Sequence, residues 1–139
     1  MILSGQLLID DGAGRCVAQR GTVRIEGDRI SEVIEGEFTE SGDFANPNAL
    51  ICPGFIDAHL HLPQFDMIGA HDLPLLQWLS GVTFPAELRW EDVAFARGMT
   101  RRVVSQLLSH GTTGICAYAT VHHASARVAI ETARDAGMR

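Results

Sequence analysis

The sequence predicts an α/β protein in two parts, a small antiparallel β unit followed by two successive βα units. Short apolar runs that alternate with polar residues, separated by Gly- and Asp-rich turns, dominate residues 1–52. From residue 53 onward, short apolar runs alternate instead with longer segments of helical periodicity, which is the pattern of parallel strands joined by helices. We therefore place a domain boundary between residues 52 and 53.

The first part is expected to contain four strands. A turn cluster at residues 10–14 and a tight turn at Gly27-Asp28 separate the first three strands, and a polar loop covers residues 35–48. So short a segment forms a thin core, and a further sheet or domain is needed to cover its other face. The predicted strands are residues 2–9, 22–26, 29–34 and 49–52.

The second part is expected to begin with a strand at residues 54–59. A long excursion follows over residues 62–90 and holds a short amphipathic helix with Pro74 near its start. The longest helix is predicted at residues 91–109, where Gly111 follows as a cap. Its apolar stripe comprises Phe95, Met99, Val103 and Leu107, with Val104 and Leu108 beside it.

A second βα unit completes the predicted pattern. Its strand covers residues 113–119, and its helix covers residues 125–136 and ends at Gly137. A third strand is expected to begin at Arg139. The apolar side of this last helix is assigned to Val128, Ile130, Ala133 and Ala136.

Composition narrows the class of protein. The chain is 46% hydrophobic and 20% charged, which is typical of globular proteins, and its net charge of -6 disfavours nucleic acid or anionic membranes as partners. The N-terminus lacks the features of a signal peptide, and no apolar run is long enough to cross a bilayer. The three cysteines show no CxxC spacing and are interpreted as reduced thiols, so a cytoplasmic location is expected.

Two histidines at the end of the first βα strand form the strongest candidate site. Side chains alternate along a strand, so His59 and His61 are expected to project together from its end. Two imidazoles placed in this way can hold one divalent metal ion. Asp57 has the same parity and is a candidate orienting carboxylate beneath them.

The surrounding residues resemble a known family. Residues 53–61, Pro-Gly-Phe-Ile-Asp-Ala-His-Leu-His, resemble the signature of the amidohydrolase superfamily, whose paired histidines bind zinc or another divalent metal. Residues 72–79 (Asp-Leu-Pro-Leu-Leu-Gln-Trp-Leu), 83–87 (Thr-Phe-Pro-Ala-Glu) and 110–113 (His-Gly-Thr-Thr) narrow the resemblance to the guanine deaminases. The resemblance implies an incomplete (β/α)8 TIM-type barrel, represented by its first two βα units in residues 53–139. It also implies that residues 1–52 are part of a small β-sandwich domain.

The resemblance assigns roles to individual positions. His59 and His61 correspond to ligands of one zinc ion per active site, and His61 also lies against the substrate. Leu62, Pro63 and Gln64 correspond to the substrate pocket, where the Gln64 amide would read the guanine edge with a donor and an acceptor together.

The remaining residues of interest have two interpretations. Trp78, Phe84 and Pro85 correspond to a segment near the pocket mouth, with core packing as an equal alternative. The two histidines after the second strand, His122 and His123, are better explained as solvated loop residues than as pocket residues, and His71 and His110 are interpreted as structural.

The implied activity is the zinc-dependent hydrolytic deamination of guanine to xanthine and ammonia by a cytoplasmic enzyme that is a homodimer when full length. The further metal ligands and the proton-shuttling glutamate of the family are expected beyond Arg139, so no catalytic residue is assigned here. A closed barrel needs eight βα units. We therefore expect a segment of a longer protein, or a chain completed by a partner, and no activity from the 139 residues alone.

Two alternatives stay open. Another amidohydrolase, of chlorohydrolase or cytosine deaminase type, would share the two histidines without needing Gln64. A truncated, non-catalytic chain that needs a complementing partner is the second. The unrelated zinc deaminases, which use H-x-E and P-C-x-x-C, are excluded because neither motif occurs.

Overall fold

The computed structural model describes residues 1–70 and 72–139, which divide into two compact units, Met1–Pro53 and Gly54–Arg139. The first unit is a single four-stranded sheet in the spatial order β3-β2-β1-β4. Its strands are β1 (Ile2–Asp10), β2 (Cys16–Glu26), β3 (Arg29–Glu35) and β4 (Phe44–Ile51).

Two hairpins connect the first three strands. Between β1 and β2, the Asp11 carboxylate accepts hydrogen bonds from the backbone N–H groups of Ala13 at 2.8 Å and Arg15 at 3.2 Å. These bonds, together with the Arg15 guanidinium, lower the pKa of Asp11. Between β2 and β3, Gly27 adopts a φ of 61°, a left-handed conformation that glycine accommodates without steric cost.

The fourth strand corrects two expectations. β4 begins at Phe44, inside the segment that was predicted to be a loop, and it pairs with β1 in parallel, so the sheet is mixed rather than antiparallel. The register changes between Ser4 and Gln6, which leaves residues 46–49 outside the regular pairing. Three of the residues that suggested a loop, Asn46, Pro47 and Asn48, occupy this irregular stretch, where the Gln6 side chain donates to the Pro47 carbonyl at 2.9 Å.

One face of the first sheet contains its small core. Leu7 and Val23 are buried there. Ser4 and Thr22 have the opposite parity in β1 and β2, and their buried hydroxyls share a hydrogen bond of 2.8 Å on the other face. A hydroxyl pair of this kind satisfies both groups without charge, which is the usual condition for burying polar atoms. The unit Met1–Pro53 contributes this one sheet, so it does not form a complete β-sandwich by itself.

The second unit contains the two predicted βα units. Its strands β5 (Phe55–His61) and β6 (Thr112–Tyr118) are parallel. Between them lie α1 (Leu75–Trp78), a π-helical turn (Leu79–Thr83), α2 (Phe84–Leu88) and α3 (Val93–Ser109), and α4 (His123–Asp135) follows β6. Two 3-10 turns, Leu62–Met67 and Arg89–Glu91, complete the excursion. These two strands do not form a closed barrel within the part of the chain that is described.

The helix α3 agrees closely with its prediction. The Asp92 carboxylate caps its first turn by accepting from the N–H groups of Ala94 at 2.7 Å and Phe95 at 3.3 Å, and Gly111 lies just beyond its end with a φ of 83°. Most of its predicted stripe packs inward, but Leu108 is exposed. The buried residues of α3 are Ala96, Met99, Thr100, Val103 and Val104.

The buried face of α4 differs from the prediction. Val128 is buried as expected, but Ile130 is 66% exposed. The residues that α4 buries are Ser125, Val128, Ala129 and Thr132. Small and hydroxyl-bearing side chains allow α3 and α4 to pack together. A helix face of this composition cannot be recognised from the positions of large apolar residues in the sequence. Beyond the helix, the Arg139 backbone donates to Thr113 and accepts from Ile115, at 3.0 and 2.7 Å, as in a parallel ladder beside β6.

No helix within residues 1–70 and 72–139 is long and apolar enough to span a membrane.

A close approach at the start of β5 gives the first prediction. A Cβ atom added to Gly54 would overlap the Thr113 side chain, including its Cβ at 2.9 Å, so Gly54→Ala forces these segments apart. We expect a loss of about 1–3 kcal/mol in the free energy of unfolding of the second unit. Urea denaturation followed by tryptophan fluorescence measures this loss, because both tryptophans, Trp78 and Trp90, lie in that unit.

The matched control is Gly98→Ala on the exposed side of α3. No atom lies within 4 Å of an added Cβ at this position, so the substitution should leave stability unchanged or raise it by up to about 1 kcal/mol. Equal effects of the two substitutions would contradict the steric argument for Gly54.

Candidate functional site

The end of β5 brings two imidazoles together. The ring centroids of His59 and His61 are 5.2 Å apart, with an interplanar angle of 69°. The pairing of β5 with β6 is irregular between Asp57 and Leu60, yet both rings still lie on one side of the strand end. His59 is exposed and His61 is half-buried, so the pair is accessible to a ligand. The structure therefore agrees with the predicted projection of the two side chains.

Tyr118 is the residue of this site that sequence reasoning missed. Its ring stacks on His61 with a centroid distance of 4.7 Å and an interplanar angle of 11°, and it meets His59 edge-on at 5.2 Å. The parallel register pairs Tyr118 directly with His61, which explains the contact. The signal was present in the sequence, because two adjacent parallel strands end at the same edge and Tyr118 is one of the last residues of the second.

Asp57 acts on the backbone rather than on the imidazoles. Its Oδ1 accepts a hydrogen bond of 3.0 Å from the backbone N–H of His59. Across the described chain, no hydrogen bond joins the Asp57 carboxylate to either histidine ring. This bond fixes the conformation of the strand end, and so the position of His59, through the main chain.

A pocket of about 520 Å³ opens beside this site. His61, Gln64 and Asp57 lie along its wall together with Trp78, whose Nε1 donates to the Ala70 carbonyl at 3.2 Å. The pocket is large enough for a small planar molecule. The amide of Gln64 offers it both a hydrogen-bond donor and an acceptor.

A second pocket of about 410 Å³ shares two residues with the first, His61 and Gln64. Phe84, Glu87 and Tyr118 also line it, so it lies between the ends of both strands and the segment that contains α2. The sequence expectation that Trp78 and Phe84 lie near a pocket is in keeping with their positions in the two linings.

The other two predicted pocket residues, Leu62 and Pro63, are buried in the second unit. Leu62 is only 3% exposed and belongs to the core cluster with Trp90, Met99 and Ala129. Pro63 is also buried, in the first turn of the 3-10 segment after β5. Both follow His61 directly, so they fix the geometry at the point where β5 ends. Their proposed contacts with a substrate stay predictions.

The remaining histidines are spread over the chain. His122 precedes α4 and His123 is its first residue, where it is exposed, so His123 is part of a helix rather than of a loop. The ring of His110 lies 2.8 Å from the Gln106 carbonyl at the end of α3, consistent with a structural role. His71 lies outside the described residues. The described residues contain no group of three or more metal-ligating side chains, so His59 and His61 stand as a pair.

Several solved structures share this fold. The guanine deaminase of Escherichia coli superposes on 96% of the chain with a TM-score of 0.76 and 30% identity. A guanine deaminase from C. acetobutylicum with bound guanine covers 99% of the chain with a TM-score of 0.80 and 24% identity. An atrazine chlorohydrolase from Arthrobacter aurescens in complex with zinc covers 99%, with a TM-score of 0.62 and 23% identity. At identities below 25%, the last two show the fold alone.

Sequence comparison also finds guanine deaminases among the proteins similar to this chain. The guanine deaminase of Escherichia coli strain K12 is 46% identical over 90 residues, which is 65% of this chain and 20% of that protein. The chain thus spans about a fifth of the length of this relative, and about a third of the length of the solved structures.

A family model also matches this chain. The model of the amidohydrolase family matches residues 50–139, a range that contains β5, β6 and the paired histidines. Because this range is more than half of the 139 residues, the chain belongs to the amidohydrolase family.

Proposed function

We propose that this chain forms part of a zinc-dependent guanine deaminase, which hydrolyses guanine to xanthine and ammonia. The observation that carries the proposal is the proximity of His59 and His61, with ring centroids 5.2 Å apart, beside two pockets whose walls both include His61 and Gln64. The 46% identity to a guanine deaminase over 90 residues supports guanine as the substrate. Homodimer formation is proposed on the resemblance alone.

The donor set fits part of a zinc site. Imidazole nitrogen is a preferred zinc ligand, and the two rings are close enough together to reach one ion. Zinc in enzymes takes three or more protein ligands, whereas residues 1–70 and 72–139 bring together only these two. The metal centre we propose is therefore completed by ligands in addition to the histidines of β5.

The chain's own residues position the metal ligands and the substrate. The Asp57 carboxylate restrains the backbone at His59, and the Tyr118 ring covers one face of His61. We assign Gln64 to the recognition of the guanine edge, because its amide matches a neighbouring donor and acceptor at once. When bound, zinc would contribute the Lewis acidity that activates water for attack on the amine-bearing carbon.

A chimera tests this function. Residues 50–139 of this chain, which the family model matches, replace the corresponding segment of the Escherichia coli guanine deaminase. That enzyme is 46% identical to this chain over 90 residues. We expect the chimera to release ammonia from guanine in a metal-dependent manner. We expect the 139-residue chain alone to show no turnover, because its described part contains two of the three or four ligands that zinc requires.

The same assay separates the alternatives. Guanine, cytosine and atrazine are offered to the chimera, and ammonia and chloride release are measured. Turnover of guanine alone supports the proposed substrate. A folded, metal-loaded chimera that leaves guanine unchanged would show that this segment is not that of a guanine deaminase. Guanine turnover by the isolated chain would refute the expectation that its ligand set is incomplete.

A further inference from the structure

The wall of the 410 Å³ pocket contains a carboxylate, that of Glu87. Glu87 is the last residue of the Thr-Phe-Pro-Ala-Glu segment and lies in α2. Its side chain lines the same pocket as His61 and Gln64.

Glu87 is a half-buried carboxylate whose acceptor capacity is unused. Within the described chain, no hydrogen bond or ion pair reaches its oxygens. The nearby guanidinium of Arg89 has other partners. Its Cζ lies 4.2 Å from the centroid of the Phe95 ring, and its Nη1 lies 3.9 Å from Oδ2 of Asp66. Partial burial of an unpaired carboxylate is unfavourable, which makes Glu87 a strong acceptor for any ligand that brings an N–H group.

Two hydroxyl groups in the lining of this pocket already have hydrogen-bond partners. The Thr83 hydroxyl donates to the Met67 sulfur at 3.6 Å, and the Thr120 hydroxyl accepts from the backbone N–H of His122 at 3.3 Å. The side chains of Phe84 and Tyr118 give the pocket aromatic surface. A flat heteroaromatic ring with at least one N–H group therefore suits this pocket.

We propose that the Glu87 carboxylate accepts a hydrogen bond from the imidazole-ring N–H of the purine, and so selects the free base over N9-substituted purines. This inference rests on the proposed function. An ionised carboxylate only accepts hydrogen bonds, so it requires a donor on the substrate, whereas the Gln64 amide can pair with either kind of group.

The orientation of the substrate follows from the position of the metal ligands. The carbon that loses its amine belongs to the six-membered ring of guanine and must lie toward His61. The five-membered ring, with its N–H, then points away from the metal and toward another wall of the pocket. Glu87 comes from α2 rather than from β5, and no ion pair joins it to His61 in the described structure. A sugar or methyl group on N9 removes the donor and leaves the carboxylate unpaired, which is a strong basis for discrimination.

The test uses the chimera with Glu87→Ala and Glu87→Gln. Guanine gives KM and kcat, while hypoxanthine and 9-methylhypoxanthine, which lack the leaving amine, give inhibition constants. We expect Glu87→Ala to raise the guanine KM and the hypoxanthine inhibition constant by about 10–100-fold, the usual effect of losing a hydrogen bond to a charged group. The kcat and the 9-methylhypoxanthine constant should change less than about threefold. Glu87→Gln keeps an acceptor oxygen and should recover part of the loss.

Glu91→Ala is the matched control, because this exposed glutamate lies outside the pocket lining. It should leave both inhibition constants unchanged. Equal weakening of both inhibitors by Glu87→Ala, or a fall in kcat at constant KM, would overturn the assignment of Glu87. Loss of all guanine turnover in the chimera with Glu87 intact would overturn the proposed function, and the assignment with it.

Discussion

His61→Ala in the chimera is expected to lower guanine kcat/KM by more than about 100-fold, because loss of an outer partner of a metal ligand alone costs about 10–100-fold. His59→Ala should have an effect of similar size. In each variant one imidazole is missing from the pair whose rings lie 5.2 Å apart. Guanine turnover and metal content per protein are measured on the same samples, so that loss of the metal is seen separately from loss of activity.

His123→Ala is the matched control for this prediction. His123 is exposed at the start of α4, and we assign it no contact with metal or substrate. The activity and metal content of the His123→Ala chimera should stay within about twofold of those of the parent chimera, as for most surface substitutions. A His61→Ala variant that keeps its metal and more than a tenth of its activity would show that His61 is not a ligand.

The sequence predicted the elements of the second unit well because their signals are local. The alternation of side-chain direction in β5 and the four-residue period in α3 are both properties of a single stretch of chain. The Asp92 cap and Gly111 mark the ends of α3 for local reasons as well. The placement of His59 and His61 on one side of the strand end follows from the same alternation.

Features that depend on a partner element were predicted less well. The face of α4 was assigned by its larger apolar residues, but besides Val128 the helix buries Ser125, Ala129 and Thr132, and Ile130 stays exposed. The parallel pairing of β4 with β1 is likewise a property of the sheet rather than of residues 44–51. Hydrophobicity along one segment does not contain this information.

The candidate site divides in the same way. Gln64 and the two histidines come from one continuous stretch of chain and were found from the sequence. Tyr118 and Glu87 come from β6 and α2, and they join the site only through the register of β5 with β6 and the path of the excursion. The sequence predicts that the two parallel strands end at one edge, but it does not give the register that pairs Tyr118 with His61 or the path that brings Glu87 to the pocket.

Trp90→Ala is expected to lower the free energy of unfolding of the second unit by about 3–5 kcal/mol, the usual cost of deleting a large buried side chain. Trp90 is 1% exposed and belongs to the core cluster that also contains Leu62 and Met99. Its ring also meets Phe95 edge-on at a centroid distance of 6.4 Å. Alanine leaves a cavity at the junction of the Arg89–Glu91 turn with α3, and small neighbours such as Ala96 and Ala129 cannot fill it.

Urea denaturation followed by the fluorescence of the remaining Trp78 measures this loss, and Trp90→Phe should show a smaller one because it keeps part of the buried ring. Leu76→Ala is the control: Leu76 is 77% exposed in α1, so its truncation should change stability by less than about 0.5 kcal/mol. A loss below about 1 kcal/mol for Trp90→Ala would mean that the cluster collapses around the missing ring.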